Sequence, residues 1–287
     1  MIDWEKHAAH RRQVIADHGR WIGLLDGNGI PICDLPSNPL ELEAPQERMA
    51  IGSLRMKINV GSKWQTKHPA LRALIDDTLG VTDSGAIEPT RKTRFVLIDN
   101  GGPRRPTYRC AQRGTPRLAN TLTIHALDVL SYLQQIPSVS QPAKWAKPEW
   151  FTADTDWVTV GDQEKKFTTP REIREIDFST SVLADNVLDG PADLVIAQAL
   201  RESLAAVFAG IEKREVIQVA AVKPTPGVPN LSIKPSDGWL WSELAPRATA
   251  AGINITASMW LPTDPQPAGL TLDKPTIVLT VAAGKEH

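Results

Sequence analysis

The stretch LANTLTIHALDVLSYLQQIP, residues Leu118 to Pro137, decides the fold of the first half of this chain. Up to Ala126, apolar and polar residues alternate, as in a strand with one buried face. From Leu127 onward, apolar residues recur every three to four positions, as on one side of a helix, and Pro137 ends that helix. A strand that passes its buried face to a short helix predicts the closing element of a small β-domain. The stretch contains no catalytic motif, so it predicts architecture and names no reaction.

The residues before this stretch predict most of a sheet. Asp3 is placed to cap a helix that runs to Asp17. Two apolar runs flank the residues from Asp26 to Gly29, which accept a positive φ, and this pattern predicts a hairpin. A helix capped by Thr66 and ended by Gly80 is predicted as an insertion between strands. Further strands are predicted over residues 53–60, 92–99 and 106–112.

The second half predicts fewer and longer elements. Asp189 to Pro191 open a helix whose apolar face repeats over four turns, and Pro246 is expected to start or kink a later helix. A strand pair is predicted at the end of the chain. We divide the chain into a β-domain with an N-terminal helix (1–137), a proline-rich linker (138–150) and a second domain (151–287). The predicted fold class is α+β, with a small mixed β-barrel or β-sandwich and peripheral helices followed by a second α+β domain.

Composition restricts the partners of the chain. Lys and Arg number 32 and Asp and Glu 33, a formal net charge of −1, which gives no reason to expect a specific nucleic-acid sequence or membrane insertion. No run approaches the ~18 apolar residues of a spanning helix, and we expect synthesis in a reducing cytoplasm. Cys33 and Cys110 are too few for a disulfide framework or a zinc site, and we interpret both as small buried residues.

The charges are unevenly distributed between the two halves. Residues 91–117 hold eight cations and one acid, a net charge of +7, and residues 151–202 hold five cations and eleven acids, a net charge of −6. The cationic stretch has three interpretations: a solvated face, a nucleic-acid surface, or a patch that meets the acidic half of an adjacent copy. We favour the third interpretation slightly over the second. The possible subunit-interface residues are Arg94, Arg104, Arg105, Arg109, Arg113, Asp154 and Asp156.

No motif predicts catalysis, a metal site or a cofactor. The loop at Asp26 begins like a calcium loop, but Ser37 stands where a bidentate Glu is needed. Asp76 with Asp77, and Asp154 with Asp156, have no His or Cys nearby, so a solvated face or a cap is the better interpretation. The chain has no nucleophile elbow, Walker loop or dinucleotide fingerprint. The sequence motifs therefore give no support to an enzymatic function.

Five segments together resemble the opening domain of minor tail proteins of the baseplate-hub family from long-tailed actinobacteriophages. The segments are RWIGLLDGNGIPICDL, SLRMKINV, RFVLIDN, PTYRCAQ and TLTIHALDVLSYLQQIP. The family's closing strand ends in a G-x-D-x-L-x-x-L pattern, which corresponds here to Ala126, Asp128, Leu130 and Leu133. Alanine thus stands where the family has glycine. The second half resembles the segment that follows in the same family.

The resemblance implies a structural virion protein with a tube-type domain and no enzymatic activity. It implies a ring, expected to be a trimer, at the distal tip of the tail, which connects the tail tube to the tip and helps close or open the DNA channel. The implied partners are other copies of the chain and the distal tail, tape-measure and receptor-binding proteins. The chain would be made in the host cytoplasm and located in the virion, without a cofactor.

Two alternatives belong to other functional classes. The chain has nine Trp, which either serve cores and edges or stack on sugars in a module that binds or degrades the host cell wall. The candidates for sugar stacking are Trp64, Trp145, Trp150, Trp157, Trp239, Trp241 and Trp260. A cytosolic enzyme of unknown type is the third hypothesis, and it predicts a monomer.

Overall fold

The computed structural model describes residues 2–61, 68–76, 92–102, 104–114, 120–147, 150–160, 163–174, 187–209 and 216–284. Its helices are α1 (Trp4–His18), α2 (Pro69–Leu71, continued by a π-helical turn over Arg72–Asp76), α3 (Pro142–Ala146), α4 (Ala192–Phe208) and α5 (Leu240–Ala250). A 3-10 helix covers Val129–Gln134. The strands are β1 (Trp21–Asp26), β2 (Pro31–Leu35), β3 (Glu41–Glu43), β4 (Ser53–Asn59), β5 (Arg94–Asp99), β6 (Thr107–Gly114), β7 (Thr121–Asp128), β8 (Trp150–Val160), β9 (Gln163–Arg174), β10 (Leu188–Pro191), β11 (Ile217–Val219), β12 (Asn230–Ile233), β13 (Ile253–Trp260) and β14 (Thr276–Ala283).

Seven antiparallel strands form the main sheet, in the order β2-β1-β5-β6-β7-β4-β3. The predicted helix at Asp3 and the hairpin at Asp26–Gly29 are confirmed as α1 and as the β1–β2 turn. The strand order leaves β2 and β3 at the two edges, so the described strands do not close into a barrel. The predicted α+β class is confirmed, in a sandwich-like form.

Both faces of the main sheet are buried at β1 and β5, whereas one face of β4 is largely exposed. On β1, Ile22 and Leu24 point into one apolar cluster with residues of β4, β7 and α2. Trp21 and Leu25, on the opposite face of the same strand, join a second cluster with α4, α5, β13 and β14. The second half of the chain therefore forms the layer that covers one face of the sheet.

The second half is built on a three-stranded sheet in the order β11-β14-β13. β14 is parallel to β11 and antiparallel to β13, so the predicted terminal strand pair is confirmed. The helix predicted after Pro191 is confirmed as α4, which buries Ile196, Leu200 and Leu204. A short pair, β10–β12, lies beside the start of α4.

The closing element differs from its prediction. The strand continues to Asp128, so Leu127 belongs to β7 and is 37% exposed. A 3-10 helix follows instead of an α-helix, and the Asp128 carboxylate caps it by accepting a hydrogen bond from the Leu130 amide (2.8 Å). Three residues per turn place Leu130 and Leu133 on the same buried side.

Two other helix predictions also change. The Nδ1 atom of His68 accepts a hydrogen bond from the Ala70 amide (3.1 Å) and caps α2, whereas Thr66 and Gly80 lie outside the described residues. Pro246 lies inside α5, which begins at Leu240, so the proline does not start that helix. In the described residues, no helix is both long and apolar enough to cross a membrane.

The described part of the predicted linker is packed against its surroundings. Ser138 and Val139 are buried; the Ser138 amide donates to the Gly238 carbonyl (2.6 Å) and the Val139 amide to the Ser203 hydroxyl (3.1 Å). Ser140 binds both carboxylate oxygens of Asp237 (2.8 and 2.6 Å). Residues 138–140 are therefore anchored to the second half, while the division into two domains stays a prediction.

Candidate functional site

The predicted interface cations do not form one surface patch. Arg94 is only 8% exposed, and its guanidinium donates to the carbonyls of Ala73 (3.3 Å) and Thr93 (3.2 Å). This side chain ties β5 to the helix over residues 69–76. Arg105 is half-buried and binds carboxylates of its own chain. Both cations are committed to contacts within the chain.

Arg109 is held by an aromatic ring. Its guanidinium carbon lies 4.7 Å from the centroid of the Tyr132 ring, which is the distance of a cation–π contact. The contact holds β6 against the 3-10 helix. Burial raises the pKa of the Tyr132 hydroxyl, and the charge of Arg109 opposes that rise.

Arg104 and Asp154 are the exposed members of the predicted set. Arg104 lies near Asp128: burial raises the pKa of that carboxyl, and the Leu130 amide and Arg104 oppose the rise. The side chains of Arg113 and Asp156 lie outside the described residues. The subunit-interface assignment stays a prediction.

Four charged residues that sequence reasoning did not connect meet in a buried network. Arg11 donates to Asp99 (Nη1 to Oδ2, 2.9 Å) and to Asp264 (Nη2 to Oδ1, 3.3 Å). Arg105 donates to both oxygens of Asp264, with an Nη1 to Oδ1 distance of 3.0 Å. Two cations and two anions thus balance each other, in the bidentate geometry that favours Arg.

The backbone fixes each member of the network. Asp99 ends β5 and accepts from the Gly101 amide (2.9 Å), and Asp264 accepts from the Leu261 amide (2.7 Å) in the turn after β13. Arg11 projects from α1. The network therefore joins α1, the β5–β6 turn and the β13–β14 loop, and it borders a cavity of about 600 Å³. Because its carboxylates are bound to guanidinium groups, the network is better suited to holding these three segments together than to acid–base chemistry.

A second polar cluster lies under α1. Both oxygens of Asp34 are bound, one by the indole nitrogen of Trp21 (2.9 Å) and the other by Nε2 of His10 (2.5 Å). His7 packs edge-on against Trp4 and Trp21. Burial, and secondarily the charge of Arg11, lowers the pKa of His7 to about 4. Helix α1 is thus docked largely through polar side chains.

The tryptophans do not line up as a sugar platform in the described residues. Trp145 and Trp260 are buried, Trp241 is half-buried and Trp239 is 54% exposed. The side chains of Trp64, Trp150 and Trp157 lie outside the described residues. No observation therefore favours the carbohydrate-binding alternative.

The described residues contain no group of three His, Cys, Asp or Glu that could hold a metal ion. In the loop that begins like a calcium site, Asp26 accepts from the amides of Asn28 (2.8 Å) and Ile30 (2.9 Å), which is the role of a turn residue. Cys33 and Cys110 are half-buried, less enclosed than predicted.

Comparison with known proteins gives a distant likeness to a solved structure. No protein-family model matches the chain, and no curated protein matches it. The chain is similar to the prophage tail protein gp18 from Listeria monocytogenes EGD-e, known from a crystal structure. The two are 8% identical, with a TM-score of 0.36, over 91% of this chain and 50% of that protein. The chain thus spans about half the length of that tail protein.

Proposed function

We propose that this chain is a structural protein of a long-tailed bacteriophage virion, whose copies assemble side by side into a ring at the distal tail tip. The proposal rests on the sequence resemblance and on one structural feature, the β8–β9 hairpin. The segments that carry the resemblance supply β1, β2, β4, β5, β6 and β7, which all belong to the main sheet.

The β8–β9 hairpin is the observation that carries the proposal. Its strands have 11 and 12 residues, which correspond to roughly 35 Å at ~3.3 Å per residue. Among the described elements, each strand packs mainly against the other. Phe151, Thr152 and Glu172 are exposed at its base. We call this hairpin the arm.

An isolated arm of this kind requires a neighbour. A two-stranded hairpin alone is marginally stable in water, and among the described strands neither β8 nor β9 pairs with a third strand. In a ring, each arm is covered by the next copy. We expect a trimer that connects the tail tube to the tip and helps close the DNA channel.

The proposal is tested with the full chain and an arm-shortened variant in which residues 152–172 are replaced by a Gly-Ser turn. Light scattering after size exclusion should show a defined oligomer for the full chain and a monomer for the variant. The variant should still unfold cooperatively, because no described residue of the arm belongs to the two apolar clusters.

Two outcomes would contradict the proposal. The ring is wrong if the full chain stays monomeric at concentrations of about 100 µM, far above the dissociation constant of a stable interface. The virion assignment is wrong if antibodies against the chain do not label tail tips of purified particles.

A further inference from the structure

His7 occupies an enclosure that suits only its uncharged form. Its ring lies nearly perpendicular to two indoles, with centroid distances of 5.7 Å to Trp4 and 5.4 Å to Trp21. Both ring nitrogens are buried, and neither has a hydrogen-bond partner among the described residues. An imidazolium has two N–H donors, and leaving them unpaired in an apolar enclosure is costly.

The charged groups that face His7 compensate a proton only in part: Asp34 and Asp264 favour the protonated form, but burial and the charge of Arg11 outweigh them. On α1 itself, Arg11 carries the same charge one turn further along, and His10 is exposed. On β2, both oxygens of Asp34 are already bound by His10 and Trp21. In the β13–β14 loop, Asp264 is bound by Arg11 and Arg105.

Apart from the ion pairs of Arg11, the remaining attachment of α1 is thin. Of its 15 residues, the buried ones are Ala8 and Arg11. Trp4, Val14 and Ile15 are partly buried and pack against the cluster that contains Trp21. Arg11 also supplies one side of the cavity that borders Asp99 and Asp264. Loss of the His7 contact should therefore weaken the docking of α1, because the helix has few other apolar contacts.

We propose that α1 is a pH-gated clasp, which stays docked while His7 is neutral and leaves the sheet when His7 takes up a proton. Its departure withdraws Arg11 from the network and opens the cavity beside Arg105 and Asp264. The inference is independent of the ring, since α1 and the arm are separate elements.

The direction in which pH changes the docking of α1 follows from the two states of His7. The pKa of the docked residue is about 4, against 6.5 when α1 is detached, so docking is strongest above pH 6.5 and weakens as the pH falls toward 4. Between pH 7.5 and pH 5.0, these values correspond to a roughly 30-fold larger opening constant for α1.

The test is hydrogen–deuterium exchange of the full chain at pH 7.5 and pH 5.0, corrected for intrinsic exchange rates. A peptide over residues 2–18 should lose protection at pH 5.0, while a reference peptide from α4 should not. His7→Leu keeps an apolar side chain without a proton site and should remove the pH response of α1. His10→Gln is the matched control on the same helix and should retain it.

Three results would overturn the clasp. These are equal protection of α1 at both pH values, an unchanged pH response in His7→Leu, and a measured pKa of His7 at or above 6.5 by NMR. The NMR titration needs no variant, so it decides the question even if His7→Leu does not fold. The arm-shortened chain should show the same response, which separates this test from that of the ring.

Discussion

At the scale of single residues, Thr107 illustrates how the two halves are joined. Its side chain is fully buried, and its hydroxyl donates to the Arg105 carbonyl (3.1 Å) and accepts from the Met259 amide (3.0 Å). Met259 belongs to β13, an edge strand whose outward amides have no strand partner. One threonine thus supplies a hydrogen bond that the sheet cannot.

Replacement of Thr107 by Val should destabilise the protein by about 1–3 kcal/mol, because it leaves a buried amide unpaired at nearly constant volume. Urea unfolding followed by tryptophan fluorescence measures the change. Thr107→Ser keeps the hydroxyl and should cost less. A Val variant as stable as the Ser variant would show that the Met259 hydrogen bond contributes nothing.

The buried network predicts a larger effect. Asp264→Asn removes the charge that faces Arg11 and Arg105, and breaking a buried ion pair in this way should cost about 3 kcal/mol. The control is Glu41→Gln, which loses an exposed pair with Lys57 (3.2 Å) and should cost less than about 1 kcal/mol. Equal losses in urea unfolding would argue against a stabilising network.

Cys33 should react slowly. Burial, and secondarily the charge of Asp34, raises the pKa of its thiol from 9.0 to about 11. Only the thiolate reacts, so alkylation by iodoacetamide at pH 8 should be about a hundredfold slower than in the urea-unfolded chain. The measurement uses Cys110→Ser, so that a single thiol is followed. Equal alkylation rates in the folded and unfolded chains would show that Cys33 is not enclosed.

At the scale of elements, the tip of the β1–β2 hairpin touches the second half. Gly29 has a φ of +76°, and an added Cβ would lie 2.4 Å from the Cβ of Pro275. Gly29→Ala should therefore destabilise the protein by more than about 1 kcal/mol, through backbone strain and the clash. Gly102→Ala meets no atom within 4 Å and is the control in the same thermal-unfolding assay. Equal midpoints would show that the tip is loosely held.

The sequence predicts elements well where one physical period dominates. The alternation at Leu54, Met56 and Ile58 gives β4, and the repeat at Ile196, Leu200 and Leu204 gives α4. The 3-10 helix was missed because Leu130 and Leu133, three positions apart, share a face in an α-helix as well, so apolar spacing does not distinguish the two.

The candidate site was largely invisible to the sequence. Arg11 and Asp264 are 253 positions apart, and no local pattern links them. Arg105 was singled out for its charge, but its partners lie within the chain. Polar docking of α1 also escapes a search for apolar stripes, although His7, His10 and Arg11 do recur on one side of the helix at a spacing of three to four.

At the scale of the whole molecule, one apolar cluster draws on both halves. It contains Trp21 and Phe95 from the main sheet together with Ile196, Leu244 and Ile277. Periodicity shows that a strand has a buried face, but it does not show which distant element covers that face. The sequence-based division at residues 138–150 therefore calls for a test in solution.

The shared cluster predicts a single unfolding transition. Because each half covers apolar surface of the other, neither should unfold alone, and calorimetry should give one peak with equal calorimetric and van't Hoff enthalpies. Far-UV circular dichroism and tryptophan fluorescence should coincide through that transition. Two resolved peaks would instead support two independent domains.

The long sequence separation of the ion pairs has a consequence for synthesis on the ribosome. When the first 150 residues have emerged, Arg11 and Arg105 have only Asp99 as an acid partner, because Asp264 is 159 positions beyond Arg105. The nascent first half thus carries an uncompensated positive charge that resists burial. Final closure of the protein must wait until the β13–β14 loop has been translated.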